Sequence, residues 1–124
     1  MAKVFVYGTL KKGNNVRGLD FFGEGSTFVG TANTTESTYS LFDLGAFPAV
    51  GVNGKQNIMG EVWNVNKQTM KVLDGIEGYP NFYDRKKVNT ARGDAWMYFI
   101  HGIELDDSVS QIDPAKQVAE WLKS

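Results

Sequence analysis

The chain has no cysteine in its 124 residues, one histidine, and thirteen basic side chains set against fourteen acidic ones, for a net charge of -1. Each shortage removes a class of function. Without cysteine there is no disulfide, no thiolate nucleophile and no zinc-thiolate site. The lone His101 leaves no histidine cluster for a metal, and a serine triad would have to be built on it in a chain that lacks a Gly-x-Ser-x-Gly elbow. Balanced charge excludes the basic footprint that nucleic acid requires, since the nearest thing to one is Arg85-Lys86-Lys87. Long apolar runs are missing as well. After Met1-Ala2-Lys3 the chain enters a run of only four apolar residues, too short for the core of a signal peptide or a membrane span. The expectation is a soluble, cytoplasmic protein with neither a nucleic-acid nor a membrane partner.

What is present is ordinary for a globular protein: 42% hydrophobic residues against 22% charged, with an aromatic share of 13% that is large enough to line a pocket. The length fits one domain, residues 1–124, around a single core. Val4, Phe5, Val6 and Tyr7 are continuous β-branched and aromatic residues ended by Gly8, which predicts a central strand over 3–7 with both faces covered. Residues 27–42 read as one long bent strand or two short ones, with Gly30 as the bend. Between Ala49 and Val65, Asn53-Gly54 predicts the turn of a hairpin. Asn66 can cap a helix in which Met70, Leu73 and Ile76 recur at spacings of three and which Gly75 or Gly78 stops, leaving Glu77 at its end. Strands at about 82–90 and 95–101 flank Arg92-Gly93-Asp94, and Asp113-Pro114 opens a last helix with Val118, Trp121 and Leu122 as its apolar stripe. About six strands with one interior and one terminal helix give an α+β class, built on an antiparallel or mixed sheet or a small barrel.

Two places offer chemistry. At Tyr7-Gly8-Thr9-Leu10 a strand runs into a turn, where consecutive backbone N–H groups without ladder partners can hold a carboxylate or phosphate; the plain alternative is a turn and nothing more. It is not a P-loop, because no glycine-lysine follows at Walker spacing. Glu77 lies between Ile76 and Gly78, beside Tyr79 and close in sequence to Tyr83, a setting that can desolvate a carboxylate and make it a better base; a solvated helix-end glutamate is the commoner case. Glu61 is a rival carboxylate, or else an outward or pairing charge in a strand. Phe47-Pro48-Ala49-Val50 is either a pocket wall or a buried edge strand, and His101 reads as a surface residue at a strand end.

Taken in order, Val4 to Gly13, Gly60-Glu61-Val62-Trp63, Leu73-Asp74-Gly75-Ile76-Glu77-Gly78-Tyr79-Pro80, Tyr83-Asp84-Arg85 and Ala95-Trp96-Met97-Tyr98 resemble the gamma-glutamylcyclotransferase-like family, most closely its gamma-glutamylamine cyclotransferase branch. The resemblance implies a small β-barrel with flanking helices and a reaction in which the alpha-amine of a gamma-glutamyl amide attacks its own gamma-carbonyl, releasing 5-oxoproline and a free amine. It implies that the backbone of Tyr7, Gly8, Thr9 and Leu10 cradles the glutamyl end and that Glu77 is the acid/base. Tyr83 and Arg85, matching the family's Tyr-x-Arg, would line or brace the pocket. No metal and no cofactor is implied, and the partner is a small gamma-glutamyl substrate. The loop Asn14-Asn15-Val16-Arg17 lacks the histidine expected in the amine-specific branch, which leaves the leaving amine open. Two other readings stand beside this one: a binding protein that sequesters a small anion in the same pocket, and a glycosidase with Glu61 or Asp74 opposite Glu77.

Overall fold

Every residue from Val4 to Tyr7 is buried, and the side chains alternate between two apolar clusters: Phe5 and Tyr7 enter one with Leu41, Val50, Ile58, Val62 and Met97, while Val4 and Val6 enter the other with Trp63, Met70, Leu73 and Tyr98. A strand with both faces covered belongs at the centre of a sheet. The computed structural model, which describes residues 2–8, 26–45, 48–101 and 110–121, places it there. Strand β1 (Ala2–Val6) runs parallel to β6 (Gly93–Phe99) on one side and antiparallel to β4 (Pro48–Val65) on the other.

The remaining elements are β2 (Ser26–Asn33), β3 (Tyr39–Asp43), α1 (Lys67–Glu77), β5 (Asp84–Thr90), β7 (Ser110–Gln111) and β8 (Val118–Ala119). The sheet order is β5-β6-β1-β4-β3-β7, with β2 and β8 also paired to β4. This is a mixed sheet with one described helix, an α+β architecture. The curl is barrel-like but loose: the ladder stays open, and what links β2 back to β5 is a single bridge, Thr34 to Thr90, with flanking bonds from Thr35 N to Asn89 O (3.0 Å) and Ala91 N to Asn33 O (3.1 Å). The expected bend at Gly30 is present, as a register shift between Phe28 and Gly30 in the β2–β4 ladder.

Two expectations are corrected. The stretch 49–65 is not a hairpin: β4 is one strand of 18 residues, and Asn53-Gly54 lies in an excursion where the β3 register steps from Ser40–Gly51 to Tyr39–Gln56. Val50 and Ile58, on either side of it, are both fully buried in the same cluster, so folding the strand back would pull one of them out. The turn chemistry is spent on a bulge instead. Gly54 fits there because a Cβ would run into the carbonyl of Tyr39, and its amide donates to Thr38 O at 3.0 Å.

The tail is the second correction. Over the described residues 110–121 there is no helix; Asp113 takes a left-handed φ of 48°, and Val118 and Ala119 pair in parallel with Asn57 and Ile58 of β4. The physical reason is Gln56, buried, whose Nε2 donates to the carbonyls of Asp113 (2.7 Å) and Lys116 (2.9 Å) and more weakly to Ile112 (3.5 Å). Carbonyls held by a side chain are not free to build an i to i+4 ladder. Leu122, the last member of the expected stripe, lies outside the described residues.

Helix α1 begins and ends as its sequence dictates. Asn66 Oδ1 accepts from Thr69 N (2.8 Å), and Gly78, left-handed at φ 67° and ψ 34°, closes the helix in a Schellman arrangement: Gly78 N donates to Gly75 O (3.3 Å) and Tyr79 N to Asp74 O (2.9 Å). Met70 and Leu73 press the helix onto the Val4 and Val6 face of β1. That packing delivers Glu77, the last helical residue, next to the end of β1.

Candidate active site

The two ends meet through a third segment, Pro48 to Val50 at the start of β4. Gly8 packs against the Pro48 ring so tightly that a Cβ at Gly8 would stand 2.7 Å from Pro48 Cγ and 2.9 Å from Cδ. The Pro48 carbonyl accepts the Tyr83 hydroxyl at 2.9 Å, and the Val50 amide donates to the Tyr7 hydroxyl at 3.2 Å. Tyr7 in turn donates to the carbonyl of Tyr98 on β6 at 2.7 Å. The turn after β1, the start of β4, the loop after α1 and strand β6 are therefore one hydrogen-bonded assembly. Pro48 and Val50 are buried, and the expected edge strand is corrected: this stretch opens β4, which lies between β1 and β3 and so is paired on both sides.

Beside it stands a charged cluster. Asp74 Oδ1 accepts from Tyr98 Oη (2.7 Å) and from Arg85 Nε (3.0 Å), while Oδ2 accepts a longer bond from Arg85 Nη2 (3.4 Å). The Arg85 guanidinium carbon lies 4.5 Å from the ring centre of Tyr79 and 4.6 Å from that of Trp96, within cation–π range of both. Arg85 thus faces a carboxylate and two rings.

The phenols report where the Glu77 charge is felt. Burial holds the Tyr7 phenol well above its ordinary range, with neighbouring Tyr83 and the Glu77 carboxylate adding to the rise. Tyr83 is pushed up by burial and then by Glu77. Tyr98 is pushed up by burial, by its bond to Asp74 and by the charges of Asp74 and Glu77, with Arg85 pulling the other way. Three neutral phenols, from the end of β1, the loop after α1 and β6, thus lie within reach of the Glu77 charge, while their hydroxyls donate to Tyr98 O, Pro48 O and Asp74 Oδ1. Glu77's backbone is held too, its carbonyl accepting from Tyr83 N at 3.3 Å.

Of the residues singled out in the sequence, Tyr7, Gly8, Glu77, Tyr83 and Arg85 are brought together here, while Thr9, Leu10, Phe47 and the loop Asn14 to Arg17 lie outside the described residues. Glu61 sits on β4 with its Oε1 accepting from Trp63 Nε1 (3.3 Å), and exposed His101 pairs with Asp84 at 2.8 Å. Asp74 is not opposite Glu77: it precedes it by three residues on the same helix, and Arg85 and Tyr98 occupy its oxygens. Tyr98 is the member that sequence reasoning gave no role, while Pro48 stood there only as one of two readings and Asp74 only as a carboxylate opposite Glu77. The i, i+3 spacing of Asp74 and Glu77 was the readable signal; the Tyr7 to Tyr98 bond follows from the parallel pairing of β1 and β6, which no local pattern announces. A separate cleft of about 390 Å³, lined by Ser40, Gln56, Gln111 and residues 114–117 among others, contains none of these groups. Among the described residues no group of three or more His, Cys, Asp or Glu side chains is arranged to hold a metal ion, and no helix is long and apolar enough to cross a membrane.

Comparison with known proteins gives the arrangement its context. Residues 4–122 match the family described as gamma-glutamyl cyclotransferase, AIG2-like. A Vibrio cholerae protein named as a candidate gamma-glutamylcyclotransferase is 39% identical over 95 residues, covering 77% of this chain and 78% of its own. The Escherichia coli gamma-glutamylcyclotransferase family protein YtfP is 30% identical over 122 residues, covering 92% of this chain and 99% of its own. The solution structure of Escherichia coli ytfP superposes with a TM-score of 0.68 at 27% identity over 97% of this chain and 96% of that one. The crystal structure of PH0828 from Pyrococcus horikoshii gives 0.67 at 28% identity over 86% and 82%.

Proposed function

Because the chain belongs to the AIG2-like gamma-glutamyl cyclotransferase family, we propose that it cleaves a small gamma-glutamyl amide by intramolecular cyclisation. The substrate's alpha-amine attacks its gamma-carbonyl, forming the ring C–N bond and breaking the amide C–N bond, so that 5-oxoproline and a free amine leave. Glu77 accepts the proton the alpha-amine loses and returns one to the departing nitrogen. Backbone amides of the Tyr7 to Leu10 turn hold the glutamyl end, and fixing the chain in a folded pose supplies the ring-closing geometry. Tyr83 lines the floor and Arg85 braces it. The reaction as written asks for no metal, no cofactor and no protein nucleophile, and a cytoplasmic setting goes with it.

The observation that carries this reading is the place of Glu77: the capped end of α1 and the bond from Tyr83 N fix its backbone, and Tyr83 is tied in turn to Pro48, against which Gly8 packs at the end of β1. A protein that merely sequesters an anion gains nothing from a carboxylate there, because like charge repels the ligand. The test is a panel of gamma-glutamyl amines and gamma-glutamyl amino acids with 5-oxoproline as the readout, run on the wild type and on Glu77→Gln. Turnover of an amine or of an amino acid conjugate names the leaving group, and Glu77→Gln is expected to lose about 10²–10⁴-fold in rate. Binding of small anions with no turnover of any panel member would replace the enzyme with the sequestering protein.

A further inference from the structure

Asp74 and Glu77 are two carboxylates one turn apart at the C-terminal end of α1, where the helix dipole already disfavours negative charge and the last turn contains no basic residue. The compensating charge comes from outside the helix. Arg85 on β5 and the hydroxyl of Tyr98 on β6 both reach Asp74, while its backbone carbonyl accepts Tyr79 N in the motif that ends the helix. One residue therefore fixes the turn that carries Glu77 twice over, through its main chain to the cap and through its side chain to the sheet. Resting on the reading of Glu77 as the base, we infer that Asp74 is a positioning residue that aims the Glu77 carboxylate and sets the charge around it.

The charged and titratable groups around this helix end are known among the described residues. Tyr7 comes from just after β1, Tyr83 from the loop after α1, Arg85 from β5 and Tyr98 from β6. Exposed Lys71 lies one turn earlier on α1 itself, and β4, packed on the helix through Trp63 and Val65, carries Glu61 bonded to that indole. Within that set the only cation in contact with Asp74 is Arg85. Removing the Asp74 charge leaves the Arg85 cation uncompensated beside the helix turn that carries Glu77; removing Arg85 leaves two carboxylates on that turn. The two changes push the proton affinity of Glu77 in opposite directions.

The experiment measures kcat, KM and the acid limb of the kcat–pH profile for Asp74→Asn and Arg85→Gln, with thermal melts as a folding control. For Asp74→Asn the expectation is a kcat about tenfold to a hundredfold lower with KM changed by less than about threefold. Its acid limb moves to lower pH and that of Arg85→Gln to higher pH. Where Asp74→Asn does not fold, Tyr98→Phe, which takes away one donor to the same carboxylate, is expected to give the smaller kcat loss with KM again unmoved. An Asp74→Asn enzyme with wild-type kcat and an unshifted limb overturns the inference, as do limbs that move in the same direction in both variants. Failure of the underlying reading looks different: there, Glu77→Gln itself keeps its rate.

Discussion

Gln56 and Asp74 are both polar anchors that tie an irregular part of the chain to the sheet, and they do so by opposite chemistry. Gln56 is a neutral amide, buried, that gives its N–H groups to carbonyls of the 112–116 turn and accepts Gln111 Nε2 at 3.1 Å. Asp74 is a carboxylate, still partly open to solvent, that receives donors from Arg85 and Tyr98. The amide satisfies backbone groups and projects little field beyond them, so it serves shape alone. The carboxylate carries a charge that its neighbours feel, and its neighbour in the helix is Glu77. The difference teaches that the same structural task was given to a neutral group away from the candidate site and to an ionic one beside the carboxylate proposed as the base.

That contrast breaks most visibly at its neutral side. Gln56→Ala removes a buried side chain together with its bonds to the Asp113, Lys116 and Ile112 carbonyls and is expected to cost about 2–3 kcal/mol, read as a lower denaturation midpoint, with kcat unchanged in the folded enzyme. A kcat loss comparable to that of Asp74→Asn would erase the distinction. Next comes Gly8→Ala, whose added methyl meets Pro48 while Pro48 is pinned by Tyr83. Overpacking of this kind costs about 1–3 kcal/mol, and because the turn itself must shift, KM for the gamma-glutamyl substrate rises more than kcat falls.

A smaller effect sharpens the electrostatic side. Tyr7, Tyr83 and Tyr98 all have folded values above the ordinary tyrosine value of 10.0. The stability these phenols contribute is fully present below that value and is lost as pH rises from there toward the folded values. Alkaline titration followed by circular dichroism should show unfolding setting in above about pH 10, with a shallower pH dependence in Tyr98→Phe. The smallest effect belongs to His101, whose pairing with Asp84 is an exposed hydrogen bond. His101→Gln is expected to leave both the melting curve and the rate where they were, as exposed pairs of this kind contribute little.

How much of this was legible in the sequence follows from how local each feature is. The central strand, the Gly30 bend, the Asn66 cap and the stop at Gly78 are written in adjacent residues, and each was readable. Asn53-Gly54 misled because a turn signal says nothing about whether Val50 and Ile58 must enter the same cluster. The tail misled for a related reason: Asp113-Pro114 is good helix-start chemistry, but the acceptors of that stretch were taken by Gln56, nearly sixty residues away. In the site, Tyr7, Gly8 and Glu77 stood out by their local setting and by the family resemblance. Pro48 and Asp74 were noticed but without their actual partners, and Tyr98 was given no role, since their parts depend on β1 lying between β4 and β6 and on α1 packing against it.

The central claim is a division of labour in which the turn after β1 holds the substrate and Glu77 moves its proton. The most direct measurement is the dissociation constant and the 5-oxoproline release rate of one gamma-glutamyl amide, taken side by side for the wild type and Glu77→Gln. The account predicts binding within about threefold of wild type and a rate lower by at least about a hundredfold; a variant that turns the substrate over at the wild-type rate would contradict it.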